Sequence, residues 1–295
     1  MIVNVVDIKH NAERARRITA TLAGFMAYNG NNVIILQFED YTQDSIEKIL
    51  YHEYKGTDEY GIEYKRNDQF GMDGLFLETS MNKISAETFH DNVEVFGNKS
   101  RRFDVASISQ NSGFVAMLDE KQQAVTTLLT SADAVYDYVF ICYGGGEPGT
   151  TFGAYTSEIQ KLIKYNVLIA RQGEWVHPDR DYQSISDAIY ISTEFDVESE
   201  LNLKICAKRL NVDYKKVYPL ATPVAYRDAA DTNKLISFIR TNRNAAQDAM
   251  SDAVIWAENL MEIMTALGGA QKKVPGDMWC TWESRIGYVE FPDAE

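Results

Sequence analysis

The chain has 295 residues, of which 45% are hydrophobic and 24% are charged, and its formal net charge is −14. This length suits one large α/β domain, and the hydrophobic content excludes a disordered chain. The acidic balance argues against DNA as a partner, because DNA binding requires clustered lysine and arginine that displace counterions.

Cysteine usage and the apolar runs predict where the protein works. Cys142, Cys206 and Cys280 are odd in number and far apart, which argues against a zinc site or a disulfide framework. The first residues enter an apolar run directly, without the charged and hydrophobic regions of a signal peptide. No apolar run reaches the roughly 18 residues that a membrane span needs. We therefore expect a cytoplasmic protein with no membrane span.

The first 40 residues predict a strand–helix–strand unit. Apolar runs at 2–6 and 33–38 predict two strands, and the pattern at 15–28 predicts the helix between them. Runs that are apolar throughout are typical of parallel strands covered on both faces. The polar loop predicted at 7–14 then lies at the carboxyl edge of the sheet, where ligands usually bind.

The remainder of the chain alternates strands with helices, after a variable helical and loop insertion at 41–102. The strand pattern recurs at 103–108, 113–117, 138–143, 167–171, 188–193 and 217–220. The helical pattern recurs at 44–54, 120–132, 156–165 and 244–267. This alternation predicts one doubly wound α/β domain over 1–270, with helices on both faces of a mostly parallel sheet. A C-terminal tail follows at 271–295.

Two details of the helices can be predicted from spacing. Ser85 is placed to cap the start of a short helix. In the last helix the apolar residues recur at i, i+4, i+7, i+11 and i+14, which predicts one face packed on the sheet. These residues are Met250, Val254, Ala257, Met261 and Met264.

The order of these elements resembles the ParA/MinD family of deviant P-loop ATPases, including the TadZ/CpaE-like members of pilus assembly systems. Residues 5–36 resemble the family's first strand, phosphate loop and following segment, and 120–143 resemble its helix and middle strand, here ending YDYVFICY. The stretch VYPLATPVAYRDA at 217–229 is similar to the segment beside the base, and 234–261 to the closing helix. The resemblance implies a three-layer P-loop fold and a homodimer face at the carboxyl edge.

The departures from the family fall on its phosphate loop, KGGxGKTT. Phosphate loops use glycine because a Cβ obstructs the approach of backbone N–H groups to phosphate. The resemblance places His10, Asn11, Ala12 and Glu13 in that loop, and Glu13 adds a negative charge. The family's first lysine corresponds to Lys9, and its second falls on or near Arg14, Ala15 or Arg16.

Two aspartates of the family are also replaced. The one that positions the attacking water falls on Gln37, and the one that organises Mg²⁺ falls on Cys142, a poor ligand for so hard an ion. Phosphoryl transfer depends almost wholly on such positioning and charge. The resemblance therefore implies a degenerate nucleotide site, and we expect no hydrolysis of ATP.

Several residues remain candidates for binding a nucleotide or another anion. They are Lys9, His10, Asn11, Arg14, Arg16, Arg17, Pro223, Tyr226 and Asp228. The three arginines either hold a phosphate or an acidic partner, or form a solvated helix start.

Two further segments carry open alternatives. The glycine-rich loop Gly144, Gly145, Gly146, Glu147 superficially matches a phosphate loop, and its alternative is a mobile or partner-binding switch. Glu39 and Asp40 are either metal-binding carboxylates or a solvated strand end.

The favoured hypothesis is a non-hydrolysing positioning or scaffold protein of a secretion, pilus or partition system. It would act as a homodimer with a protein partner and without a cofactor. The alternative is a nucleotide-dependent switch that binds ATP or ADP with Mg²⁺, in which Lys9, Arg14 and Arg16 replace the missing lysine.

Overall fold

The strand β1 (Ile2–Asp7) lies inside an eight-stranded sheet, between β5 (Tyr138–Cys142) and β6 (Ile163–Arg171). The other strands are β2 (Val33–Gln37), β3 (Glu94–Val95), β4 (Phe103–Ala106), β7 (Ala188–Thr193) and β8 (Val217–Leu220). Their order across the sheet is β3-β4-β2-β5-β1-β6-β7-β8. The computed structural model describes residues 1–38, 45–50, 71–81, 83–96, 102–109, 118, 120–142, 157–176, 188–196, 198–243, 252–269, 283–284 and 287–288.

The sheet is mostly parallel, as the sequence predicts. β3 and β4 pair antiparallel, and the other neighbouring strands pair parallel. β1, β2, β4, β5 and β7 are buried along their whole length, because helices cover both faces of the sheet. The predicted doubly wound, three-layer α/β fold is therefore confirmed.

The helices that connect the strands are bounded as follows. They are α1 (Ala12–Tyr28), α2 (Ile46–Leu50), α3 (Met72–Ser80), α4 (Ala86–Asp91), α5 (Gln122–Val135), α6 (Ser157–Leu162), α7 (Leu203–Leu210), α8 (Val224–Asp231), α9 (Leu235–Asn242) and α10 (Asp252–Ala266). Two short 3₁₀ helices lie at Gln172–Val176 and Tyr214–Lys216. Across the described ranges, no helix is long and apolar enough to cross a membrane.

A hydrophobic core lies on each face of the sheet, between the strands and the helices that cover them. β2 alternates, with Val33 and Ile35 facing a core formed with α1, α8, α9 and α10, and Ile34 and Leu36 facing a core formed with α3, α4 and α5. A third cluster lies under α7, around the fully buried Trp175. The two main cores give each face of the sheet its own helical layer.

The predicted face of the last helix is confirmed in its described part. Val254, Ala257 and Met264 are buried, and Met261 packs against the core. Met250 lies outside the described residues. The cap at Ser85 is also confirmed, because its side chain accepts the backbone N–H of Thr88 at the start of α4.

The predicted boundaries were right for β7 and β8, differed by a few residues for β4 and α5, and were wrong in ways that matter for the site in two places. Residues 163–165 were predicted as the end of a helix but open β6, because they pair with the start of β1. The loop predicted at 7–14 is shorter, since α1 begins at Ala12 rather than at 15. The side-chain oxygen of Asn11 caps this helix by accepting the backbone N–H of Arg14. Arg14 therefore belongs to the helix.

Some predicted elements fall wholly or partly outside the described residues. They include the strand at 113–117, about half of the insertion at 41–102, the start of the helix at 244–267 and most of the tail at 271–295. Within the tail, β9 (Glu283–Ser284) and β10 (Gly287–Tyr288) form an antiparallel pair.

Asp104 of β4 is a buried carboxyl group near the amino edge of the sheet. The hydroxyl of Tyr136 donates a hydrogen bond to its Oδ2, and Nε of Arg102 lies 3.9 Å from the same oxygen. Its Oδ1 is buried without a hydrogen-bond partner in the described part of the chain. Burial raises the pKa of Asp104 to about 6, although Tyr136 and Arg102 act against this rise.

This raised pKa predicts the pH dependence of an Asp104→Asn variant. The unfolded state loses the proton near pH 4 and the folded state near pH 6, so stability falls as the pH rises between these values. The cost at neutral pH is on the order of 3 kcal/mol. We expect Asp104→Asn to stabilise the protein at pH 7.5, by an amount that shrinks toward pH 4. Urea unfolding at several pH values measures this difference.

The matched control is Glu87→Gln, which removes a charge from an exposed position in the first turn of α4. A gap between Asp104→Asn and the original protein that stayed constant across the pH series would contradict the assignment.

Candidate functional site

The connection between β1 and α1 lies at the carboxyl edge of the sheet, at its centre. Four residues, 8–11, separate the end of the strand from the start of the helix. The N–H of His10 donates to the carbonyl of Asp7 at 3.0 Å, and His10 has a φ of +55°. This tight turn directs the backbone N–H groups of the loop back toward the side chain of Asp7.

The carboxylate of Asp7 is buried at the centre of this turn, with 2% of the residue exposed. Its Oδ1 accepts the N–H of Lys9 at 2.8 Å and the N–H of Asn11 at 3.1 Å. The same oxygen accepts Nη2 of Arg14 at 3.0 Å, and Oδ2 accepts Nε of Arg14. Asp7 therefore receives two backbone donors and a two-pronged guanidinium contact.

Arg14 is buried between two carboxylates. Its Nη2 also lies 2.7 Å from Oε2 of Glu174, which the 3₁₀ helix after β6 supplies. The same oxygen of Glu174 accepts the backbone N–H of Arg171 at 2.8 Å. Burial alone would lower the pKa of Arg14, but its hydrogen bonds to Asp7 and the charges of Asp7 and Glu174 leave that pKa above its ordinary value.

These contacts have the chemistry of an anion-binding site. Backbone N–H groups at a helix start and a guanidinium are the donors that proteins use to hold phosphate or carboxylate. Here the carboxylate of Asp7, from the same chain, occupies the position between them. One guanidinium nitrogen, Nη1 of Arg14, is buried and has no hydrogen-bond partner in the described ranges.

The neighbouring charged residues of α1 are arranged differently from the prediction. Arg16 is buried, as Arg14 is, so the alternative of a solvated helix start does not hold for these two arginines. Arg17 is partly exposed and pairs with Glu13 and Asp231. Glu13 points to the surface, with 59% of its side chain exposed, and does not lie within the loop where phosphate was expected.

Gln37 and Cys142 lie opposite each other on β2 and β5 and are both buried. Oε1 of Gln37 accepts the N–H of Ile46 at 3.2 Å and so supports the start of α2. The side chain of Cys142 is buried in the core, and its backbone carbonyl accepts the N–H of Phe38. In the part of the chain that the structure describes, no group of three histidine, cysteine or acidic side chains is placed to hold a metal ion.

The three candidate binding residues at 223–228 do not form one site. Pro223 precedes α8, and Asp228 is exposed on that helix. The hydroxyl of Tyr226 is buried and lies 2.9 Å from the hydroxyl of Thr21 in the middle of α1. Burial raises the pKa of Tyr226. Tyr226 therefore joins α8 to α1, away from the turn at Asp7.

The remaining candidates lie at the edge of this site or outside the described residues. Lys9 and His10 are half-buried on the turn, and Asn11 is exposed. Glu39, Asp40 and the loop Gly144, Gly145, Gly146, Glu147 fall in segments that the structure does not describe.

Asp7 and Glu174 were missed by the sequence-based prediction. Asp7 carries a signal, since an acidic residue that ends a buried central strand must find a partner inside the protein. No sequence signal marks Glu174, because it reaches Arg14 only through the packing of β6 beside β1.

The role of Asp7 predicts a rescue by free anions. Asp7→Asn removes the charge from the centre of the turn and leaves Arg14 with Glu174 alone, so we expect the free energy of unfolding to fall by roughly 3 kcal/mol. Because sulfate can replace the lost carboxylate, we expect sulfate to raise the melting temperature of this variant more than that of the original protein. Melting curves in sulfate and in chloride at equal ionic strength measure this.

The control is Glu13→Gln, which removes a charge from the exposed side of the same helix turn. An equal sulfate effect in Asp7→Asn, in Glu13→Gln and in the original protein would show that the turn does not hold anions.

Comparison with known proteins agrees on the fold. Similar solved structures include a ParA family ATPase from Chlorobium tepidum, 12% identical, covering 87% of this chain and 98% of its own, with a TM-score of 0.59. MinD of Pyrococcus horikoshii, complexed with Mg-ADP, is 12% identical and has the same TM-score of 0.59. The match covers 92% of this chain and 99% of the MinD chain. The MinC:MinD complex of Aquifex aeolicus matches with 10% identity, covering 93% and 98%, and a TM-score of 0.56.

The chain thus has the fold of the ParA/MinD ATPases, which the sequence resemblance implied. No protein-family model matches it, and no curated protein does.

Proposed function

We propose that this protein is a ParA/MinD-like positioning or scaffold protein that binds its partners without hydrolysing nucleotide. It acts in the cytoplasm as a homodimer, with a protein partner in a secretion, pilus or partition system. The pilus assembly role is suggested by the resemblance of the sequence to the TadZ/CpaE-like branch of the family. It requires no cofactor.

The carboxylate of Asp7 is the observation that carries this proposal. It takes up the loop N–H groups and the guanidinium of Arg14, the donors that a phosphate would need. A phosphate about 5 Å from this carboxylate would be opposed by roughly 3 kcal/mol for each pair of unit charges, at an effective dielectric constant of about 20. Because Asp7 is covalently part of β1, it does not dissociate to make room.

The residues beside the turn support the absence of hydrolysis. Hydrolysis of a phosphoanhydride requires a positioned water and a metal ion that neutralises the developing charge. Gln37 and Cys142 stand at the positions that the family resemblance assigns to the two aspartates, and both have structural contacts instead. A thiol is a soft ligand that does not suit Mg²⁺, and an amide, although it offers an oxygen, supplies no negative charge.

The carboxyl edge of the sheet is the surface we assign to dimerisation. Val224, at the start of α8 just beyond β8, leaves 60% of its surface exposed at this edge. This exposed apolar side chain supports the assignment of a contact surface.

One observation favours the alternative function, a nucleotide-dependent switch. Nη1 of Arg14 is buried and has no acceptor in the described part of the chain, so it is available to an outside oxygen. In this alternative ATP or ADP with Mg²⁺ displaces Asp7, and Lys9 and Arg16 assist Arg14.

The test is calorimetric titration of the purified protein with ATP and with ADP in the presence of Mg²⁺, together with its mass in solution. We expect no binding at millimolar nucleotide and a dimer whose mass does not change when nucleotide is added. The Asp7→Asn variant is titrated in parallel, with Glu13→Gln as the control. If the carboxylate is what excludes phosphate, only Asp7→Asn gains affinity.

Micromolar binding by the original protein would overturn the proposal and leave the nucleotide switch. A monomer in the absence of nucleotide would overturn the dimer.

A further inference from the structure

The outer unit of the sheet, β7–α7–β8, has two differently charged ends. β7 ends at the carboxyl edge, α7 returns to the amino edge, and the 3₁₀ helix Tyr214–Lys216 leads directly into β8. β8 is the outermost strand on this side. The two ends of α7 therefore lie at opposite edges of the sheet.

The loop 194–200, between β7 and α7, is the acidic end, and we call it the acidic loop. Its sequence contains no lysine or arginine, and its four exposed acids are Glu194, Asp196, Glu198 and Glu200. Glu194 pairs with Arg171 at 2.9 Å, which leaves the other three acids facing solvent. The acidic loop thus presents several negative charges within a short stretch at the carboxyl edge.

The acidic loop is held in one position by the buried side chain of Gln172. Nε2 of Gln172 donates to the carbonyls of Asp196 and Leu201 at 3.0 and 2.9 Å, and its Oε1 accepts the N–H of Asp196 at 3.0 Å. Within the loop, Oδ1 of Asp196 accepts the N–H of Glu198. A surface fixed in this way loses little conformational freedom on binding.

The basic end lies at the amino edge, and we call it the basic patch. It comprises Lys208, Arg209, Lys215 and Lys216, all of them exposed. Asp213 is the acid nearest to them in sequence, and its carboxylate accepts the N–H of Lys215 as a helix cap. Tyr214 is 51% exposed among these cations. The structure gives these four cations no ion pair with any other described residue.

Local helix stability explains only part of this arrangement. Acids before the start of α7 and cations in its last turn complement the helix dipole. Lys208 and Arg209 are placed for that purpose. Lys215 and Lys216 lie outside α7 and stabilise no helix of comparable length. Their positive charges are exposed in a chain with a net charge of −14, and they are available to an acidic partner.

We propose that the basic patch of one copy docks on the acidic loop of a second copy, head to tail. The two surfaces are opposite in charge and lie at opposite ends of one unit, so a second copy placed over the outer unit, with the rest of its sheet turned away from the centre, brings them together. An interface of this kind does not close on itself and leads to an open, linear assembly. Because the second copy then covers only the outer unit, the centre of the carboxyl edge stays open for the proposed dimer.

A second copy is favoured over nucleic acid or an anionic membrane by the small number of cations in the basic patch. Four cations are few for the dense phosphate charge of a polyanion. A second copy offers a fixed set of carboxylates of matching size.

The experiment is sedimentation velocity over a range of protein concentrations, at roughly 50 and 500 mM NaCl, which differ in screening length. We expect the sedimentation coefficient to keep rising with concentration at low salt and to stay constant at high salt. The double variants Lys208→Glu/Lys215→Glu and Glu198→Lys/Glu200→Lys should each weaken association by at least about tenfold, because half of the opposite-charge contacts then become like-charge contacts.

Mixing the two double variants gives the sharpest result. Each double variant leaves its changed surface with two charges of each sign, so one variant keeps only the acidic loop and the other keeps only the basic patch. Each variant alone should therefore not associate through this contact, whereas the mixture restores one complementary contact and should form pairs. The control, Lys83→Glu/Lys234→Glu, makes the same charge change at exposed positions outside the patch and should associate like the original protein.

The absence of a concentration dependence at low salt, or a mixture that stays dispersed, would overturn the proposal. So would a patch variant that associates normally but loses binding to a DNA duplex or to phosphatidylserine vesicles, which would assign the patch to that other anion.

Discussion

The buried pair of Asp7 and Arg14 is the interaction on which the start of α1 depends. A charge removed from water without a partner costs several kcal/mol, so each member of the pair requires the other. The N–H groups of Lys9 and Asn11 point at the same carboxylate, and Glu174 extends the arrangement to the end of β6. The geometry of the loop, the first turn of the helix and the contact between β1 and β6 are thereby fixed together.

This arrangement has a consequence for switching. A loop that holds a phosphate changes state when the phosphate binds, leaves or is hydrolysed, and that change is what a ligand-driven equilibrium needs. A carboxylate attached to the central strand does not leave. Under the proposed function, the loop is held by its own side chain and a change of state comes from contacts made elsewhere on the surface.

Buried and exposed charges have separate roles in this protein. Asp7 is buried with two N–H donors and a guanidinium, while Asp104 is buried with one hydroxyl and an arginine 3.9 Å away, and the pKa of Asp104 rises to about 6. These groups determine stability and are little affected by salt. The acidic loop and the basic patch lie in solvent, where salt screens them, and such charges govern association.

The sequence alone determined the order of strands and helices and the parallel sheet, because apolar runs and helical spacing are local properties of the chain. It also located the loop after β1 as unusual. Only the tertiary structure showed that Arg14 is buried, that Asp7 fills the turn, and that Glu174 reaches Arg14 from the 3₁₀ helix after β6, more than 150 residues away in sequence. The contact of Arg14 with Glu174 joins residues that are distant along the chain, and the parallel pairing of β1 with β6 decides that they meet. Residues 163–165 show the same limit, since pairing with β1 made a strand of a segment that looked helical.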